Sequence, residues 1–372
     1  MKLSSQIVNL ITLLVLMTPS LNAEVVTKAI IGGGYESNLF SDSNSTADQY
    51  ATFGTDLKYY PSAFVQLSGT AKYNAFTTYG DLSNLAGEAS FIVIPTKETS
   101  PVTLALRGNL AMRKFGFIFE VYDQVGSGIG ADMSFLLTQR TTLQSSVSYS
   151  NISYVNSDYG SNRSIDLSTG VNTAIMGSNA IALRLDFSRR SFDQPALTQD
   201  GTGYALLAGQ DKTETFDVTG ILIRFSRPLG ERTGMNLSIG HRQLHVDNNL
   251  TVLGYTIDYL SPWAELWEGV SFSGSVKHFF PNQLITELSL AYYDKGFVDV
   301  VEFSEEASNT YWRDNRIDRL TALSLNISKP ISLQSGKTIT PSFFLGYRNN
   351  SSTAEFFNYE DVRASISLKV TL

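Results

Sequence analysis

Residues 359–372 read Y-E-D-V-R-A-S-I-S-L-K-V-T-L, from Tyr359 to Leu372. Taken every second residue, Val362, Ala364, Ile366, Leu368, Val370 and Leu372 are apolar, while Asp361, Arg363, Ser365, Ser367, Lys369 and Thr371 between them are polar. A period of two marks a β-strand with one apolar and one wetted face. The same alternation recurs along nearly the whole chain, with few candidate helices to cover the apolar faces. A closed barrel solves that problem: lipid covers its outside, water meets its inside, and no strand edge is left unpaired. In such a barrel the last strand pairs with the first.

At the other end, M-K-L-S-S-Q-I-V-N-L-I-T-L-L-V-L-M-T-P-S-L-N-A-E places one cation, Lys2, before an apolar run from Ile7 to Met17. Pro19, Ser20 and the small Ala23 follow. This predicts a secretory signal peptide over residues 1–23, too short and wrongly flanked for a membrane span. Leu21 is bulkier than the residue favoured three positions before a cut. The barrel then occupies residues 24–372. The chain has no cysteine, which excludes lipid attachment at the cut and a disulfide framework.

Charged residues make up 17% of the chain and aromatics 12%. No stretch after the signal approaches 18 apolar residues, which argues against a helical membrane protein. Without Lys2 the balance is 27 basic to 35 acidic residues, a formal charge of −8 that opposes nucleic-acid binding.

Sixteen segments carry the alternation: 25–37, 48–60, 63–76, 83–94, 102–114, 124–138, 141–155, 162–176, 179–190, 213–227, 233–246, 268–280, 283–295, 313–329, 337–348 and 358–372. The connections alternate in length. Seven are short, at 61–62, 95–101, 139–140, 177–178, 228–232, 281–282 and 330–336, and most carry the Pro, Gly or Asn of tight turns. Eight are longer, around Asp42, Asp81, Phe119, Asp158, Asp200, Asp258, Glu305 and Ser352. An all-β, up-and-down antiparallel transmembrane barrel of about 16 strands follows, with both termini on the side of the short turns. The segment T-V-L-G-Y-T-I-D-Y at 251–259 reads as a further strand or a hairpin, so 14 to 18 strands fit.

The two faces sort by parity. In the ninth segment Ile181, Leu183, Leu185 and Phe187 oppose Ala182, Arg184, Asp186, Ser188 and Arg190. A basic charge in mid-bilayer lipid costs about 2–4 kcal/mol, so the polar faces are assigned to the lumen. The pore-lining candidates are Lys72, Arg107, Arg113, Asp132, Asp166, Arg184, Asp186, Arg224, Arg242, Lys277, Glu287, Arg363 and Lys369. Lys58, Arg190, Asp56, Glu88, Asp318 and Asp361 share their parity. The mixture leans basic, whereas the long connections carry acids such as Asp299, Glu302, Glu305 and Glu306. Opposed wall charges set ion preference; the plainer reading is solvation with cross-strand pairs worth about 0–1 kcal/mol each. Tyr59, Tyr60, Phe64, Tyr149, Tyr154, Phe279, Phe280, Tyr292 and Tyr293 cluster near strand ends, as interfacial girdles do. The tenth segment fits poorly: Ile221, Ile223 and Phe225 share one face, yet Val218 and Leu222 lie on the other, which suggests a bulge or a plugging contact.

Little points to chemistry. His241 and His245 would share a strand face about 13 Å apart at ~3.3 Å per residue, too far to hold one metal. No cofactor is expected. Gly32-Gly33-Gly34 lies within a strand pattern and lacks the lysine and helix of a phosphate loop. Gly126, Gly128 and Gly130 share the lumen parity, which leaves one stretch of inner wall bare, as room for a loop or solute or as a site of curvature.

With these features the chain resembles bacterial outer-membrane β-barrels of porin type over its whole mature length. G-G-G-Y-E-S-N-L-F at residues 32–40 is similar to the opening strand of putative β-barrel porins, some found with exopolysaccharide-export systems. The chain departs from the usual terminal pattern by ending in Leu372 instead of Phe. The resemblance implies a Gram-negative outer-membrane protein that is not an enzyme. Its implied partners are outer-membrane lipid, the barrel-assembly machinery, and a hydrophilic solute or polysaccharide. Porins are often homo-oligomers, although no trimer face is marked in the sequence. Barrels of 16–18 strands enclose an aqueous channel unless plugged, so passage or export of hydrophilic solutes is the leading expectation. The alternatives are an accessory barrel of a polysaccharide or surface-protein secretion system, and an outer-membrane enzyme.

Overall fold

The structure is a computed structural model that describes residues 24–372 apart from 97–99, 158–160, 176–177, 200–203, 247–265, 298–299, 305–306, 314–315 and 335. The expected signal peptide and the segment 251–259 lie outside the described residues.

The alternating segments form strands β1 (Glu24–Glu36), β2 (Asp48–Ser62), β3 (Val65–Phe76), β4 (Asn84–Val93), β5 (Val102–Lys114), β6 (Gln124–Thr138), β7 (Thr141–Tyr154) and β8 (Asn162–Ile175). They continue as β9 (Asn179–Gln199), β10 (Tyr204–Pro228), β11 (Thr233–Val246), β12 (Trp267–Phe279), β13 (Ile285–Phe297), β14 (Ile317–Ser328), β15 (Thr338–Ser352) and β16 (Tyr359–Thr371). Each pairs antiparallel with its chain neighbours, and β1 also pairs with β16, so the sheet closes. Ile31 faces Phe53 on one side and Leu368 on the other. Seventeen strands join in the ring, one of them the two-residue piece Ile331–Ser332 inside a turn, so sixteen form the wall.

Two strand limits depart from the sequence reading. β9 and β10 run to 21 and 25 residues and meet in a long hairpin where a loop was expected around Asp200. Pro195 does not end β9, because the ladder shifts register between Leu206 and Asp211 and resumes with Pro195 opposite Asp211. Likewise Val300–Ser304 and Ala307–Arg313 pair as a separate short hairpin, so β14 begins at Ile317 instead of residue 313. Between β2 and β3 the turn sits at residues 63–64 and not at 61–62. Pro61 falls at the register shift between Tyr59 and Ser62, where its missing N–H is tolerated.

Register settles the faces. Ile31, Leu183, Ile239, Leu288 and Ile366 remain exposed and share one parity around the ring, whereas Asp48, Asp318 and Asp361 on the other are buried. In a closed barrel the convex side stays exposed, so the apolar face is outward. Four expected girdle residues take the inner parity instead: Tyr60 opposes Glu24, Tyr154 opposes Gln124, Phe279 lies under Lys277 Nζ at 5.7 Å, and Tyr293 stacks edge-on against Trp267 at 6.2 Å. Proximity to a strand end does not tell which face a ring occupies.

The tenth strand contains no bulge where its pattern fails. From Asp211 to Ser226 its register with β9 is unbroken, so Val218 and Leu222 point inward. Val218 is buried beside two inward, fully buried rings, Phe192 and Phe216, which meet edge-to-face at 5.5 Å. The misfit is an apolar patch on the inner wall.

One glycine is required for backbone reasons. Gly269 in β12 has φ +138°, and a Cβ there would lie 1.9 Å from the Asp294 carbonyl oxygen of β13. Gly269→Ala is expected to lower the folded fraction strongly, read as loss of the heat-modifiable band on a gel. Gly126→Ala should fold normally, since its nearest neighbour would be 3.7 Å away.

Candidate functional site: the inner wall

The register places all thirteen candidate residues on the inward parity, and the contacts divide them into paired and unpaired groups. Arg107 bonds Asp132 at 2.9 Å, Arg184 bonds Asp186 at 2.6 Å, and Lys277 lies 3.5 Å from Glu287. Asp166 accepts from Ser164 at 2.9 Å and Ser188 at 2.5 Å. Arg242 lies over the Trp267 ring at 4.9 Å, and Lys295 approaches the same ring at 5.3 Å. Among the described residues, Lys72, Arg113, Arg224 and Lys369 make no ion pair. Paired charges in a wetted wall largely cancel at a distance, so these four carry most of the basic lean.

Between the charges the wall is hydroxyl-rich. Cross-strand pairs Ser68–Ser90, Ser146–Ser168, Ser150–Ser164 and Ser238–Ser273 lie at 2.7, 2.7, 2.8 and 2.6 Å. A recess of about 430 Å³ on the β5–β10 side is lined in part by Asp132, Gln144, Ser146, Arg184 and Arg224. The glycine stretch is not bare. The side chain of Asn109 lies across Gly128, its Oδ1 2.5 Å from where a Cβ would stand, and Arg107 Nε is 3.3 Å from that position at Gly130. The small residues of β6 seat polar side chains of β5.

A second group was not legible from parity alone. Asp361 is fully buried on the inner face of β16. It accepts from Arg348 Nε at 3.0 Å and Nη2 at 2.7 Å, from Arg363 Nε at 2.7 Å, and from the Asn38 N–H at 3.2 Å. Arg348 also reaches Ser41 Oγ at 3.1 Å, and Arg348 and Arg363 both contact Glu36. The cluster lies at the β1–β16 seam and ties the first long connection, residues 37–47, to the wall. Charge-assisted bonds of this density fix geometry where neutral ones would not. Arg348 had a readable signal, since it continues the inward parity of Phe344 and Gly346 on β15. Its partnership with Glu36, 312 residues earlier, had none.

The rim formed by the long connections also has its own apolar core. Leu39, Leu82, Phe115 and Tyr122, from three successive connections and their strand ends, are buried together, with Phe40, Tyr79 and Phe119 packed against them. Arg316 and Asp318 form a buried pair at 2.5 Å, with the guanidinium between the rings of Phe297 and Phe357.

The histidines all take the outward parity: His241 opposes Ile221, His245 opposes Asp217, and His278 opposes Thr233. His245 Nε2 lies 3.2 Å from Thr219 Oγ1, a base-to-hydroxyl distance, but the Asp217 carboxylate opposite is held by Arg189 at 2.7 and 2.6 Å. The acid that would orient the imidazole is therefore engaged elsewhere. Among the described residues no three His, Cys, Asp or Glu side chains are grouped to hold a metal.

The ring of sixteen antiparallel strands, apolar outside and polar inside, with short turns at one rim, is the architecture of the outer-membrane porins. Among solved structures, the chain matches the outer membrane protein OpdK from Pseudomonas aeruginosa (TM-score 0.50, 11% identity, 94% of this chain and 99% of that one). It matches OccD1 (OprD) at TM-score 0.50 and 9% identity over 94% and 95% of the two chains. OccAB1 of Acinetobacter baumannii gives TM-score 0.49 and 10% identity over 95% and 97%. At such identities the likeness to OpdK and OccD1 shows the fold alone. No protein-family model matches the chain, and no curated protein sequence matches it.

Proposed function

We propose that the chain is an outer-membrane channel for hydrophilic solutes, exported by its first 23 residues and inserted by the barrel-assembly machinery. The observation that carries this reading is the closed ring of sixteen strands whose inner parity carries the charged and hydroxyl side chains, apart from the apolar patch on β9 and β10. Barrels of this size enclose water unless plugged. Because Arg107 and Arg184 are paired, the unpaired Lys72, Arg224 and Lys369 are the residues expected to bias the passage towards anions.

The test is the reversal potential across a salt gradient in a planar bilayer. Anion preference is expected at low salt and should fade as the Debye length falls from about 30 Å at 0.01 M to about 3 Å at 1 M. The triple variant Lys72→Ala, Arg224→Ala, Lys369→Ala should shift the potential towards cations. A channel that is cation-selective from the start, or indifferent to the triple change, removes the inner-wall account.

The inward, fully buried Phe192 and Phe216 favour a second reading for one sector. A ring on an open channel wall would be wetted, so other parts of the chain cover this part of the wall. An accessory barrel of a polysaccharide or surface-protein secretion system, closed to ions and acting through its long connections, would share that feature. Such a barrel would fold normally and pass no current.

A further inference from the structure

The two most exposed large apolar side chains among the described residues are not on the wall. Phe117 and Ile118, 80% and 68% exposed, sit in the connection between β5 and β6. This connection is rigidly built. Its 3₁₀ turn, Phe117–Tyr122, starts from Gly116, whose N–H donates to the Asp81 carbonyl at 2.8 Å. Phe115 N–H donates to Asp123 Oδ1 at 2.6 Å, and the Asn156 amide donates to the Glu120 carbonyl at 3.2 Å. Phe115 and Tyr122 are anchored in the apolar core of the rim, leaving Phe117 and Ile118 outside it. Val155, 59% exposed, is tied to the far end of the same turn, its N–H bonded to the Asp123 carbonyl at 2.9 Å.

Two observations identify what covers this knuckle. First, the connection follows directly on β5, whose lipid-facing parity carries the exposed Leu106 and Leu110. Second, Lys114 ends that strand on the same parity, opposite the outward and exposed Leu85, so apolar wall reaches its level. A cation at the boundary of an apolar surface, three residues before an exposed aromatic ring, suits the phosphate level of a membrane, where lysine extends its ammonium to the headgroups and rings lie at the interface. A water-facing loop tip would have no reason to hold two large apolar side chains rigidly clear of their own core.

We propose that the β5–β6 connection is a lipid anchor, with Phe117, Ile118 and Val155 seated at the acyl boundary of the adjoining leaflet and Lys114 beside a lipid phosphate. The proposal rests on the membrane-barrel reading. The anchor would fix the height of the barrel in the bilayer on this side and brace the rim core from outside.

The chain has no cysteine, so single sites take a nitroxide label cleanly. Phe117→Cys and Ile118→Cys, with Ile129→Cys on the outward wall and Asn44→Cys in the first long connection, would be labelled and refolded into phospholipid bilayers. Collision rates would be measured with oxygen, which concentrates in the acyl region, and with a water-soluble nickel chelate. Labels at 117 and 118 are expected to resemble the wall site, with oxygen favoured several-fold. If they resemble Asn44→Cys, the anchor is overturned and the knuckle faces water. Spin–spin broadening at 117 or 118 would mean a second copy occupies it, which also overturns the lipid assignment. A wall label at 129 that is open to the chelate would overturn the membrane barrel and the anchor with it. Either label site suffices if the other disturbs folding.

Discussion

Leu183→Arg and Leu368→Arg are each expected to remove most of the heat-modifiable, folded protein, while Arg184→Ala and Lys369→Ala, one residue along, should leave it near the unsubstituted level. Leu183 lies between Val171 of β8 and Ile223 of β10, and Leu368 between Ile31 and Pro341, all of outward parity. An arginine there is placed in lipid, at about 2–4 kcal/mol near mid-bilayer. Losses of that size are a large share of a domain's net stability. Arg184 faces the lumen, and its bond to Asp186 joins half-exposed groups, so its loss costs about 0–1 kcal/mol. Outer-membrane yield and the fraction of heat-modifiable band measure both. Equal damage from both sets would mean that the inward and outward parities are misassigned.

Asp361→Ala is the second large effect. The carboxylate is fully buried and neutralises Arg348 and Arg363 at once. Removing it leaves two guanidinium groups sharing Glu36, and breaking a buried pair from one side costs about 3–5 kcal/mol. It also removes the acceptor that holds the Asn38 N–H. The expected result is a folded barrel that melts at lower temperature and whose first long connection is cut faster by protease. Lys369→Ala, on the same strand and face, is the control, since Lys369 makes no ion pair among the described residues. Unchanged melting and unchanged protease resistance would show that the seam cluster does not hold the first connection.

The parts of this architecture that were legible depend on local period alone. The limits of β5, β6 and β11 coincide with the alternating segments 102–114, 124–138 and 233–246. Each strand must present one face to lipid, so every inward residue is marked by its outward neighbours. The parity of Arg107, Arg184 and Lys369 followed from that constraint. The seam cluster was hidden because Glu36 and Arg363 meet only when the ring closes. The long β9–β10 hairpin was hidden because, beyond the bilayer, no solvent contrast enforces alternation on a strand. Val218 and Leu222 broke the period for a further reason. An inner wall that packs against chain obeys the rule of a core and not that of a channel.

Stepwise ionic current through the purified, refolded barrel in a planar bilayer tests the central claim most directly. Heat-modifiability is checked first on the same preparation, so that misfolded protein is not mistaken for a closed pore. Discrete conductance steps that scale with salt concentration are the result this account requires. Correctly folded protein that passes no current at any voltage would contradict it, and would leave the barrel a closed scaffold for its long connections.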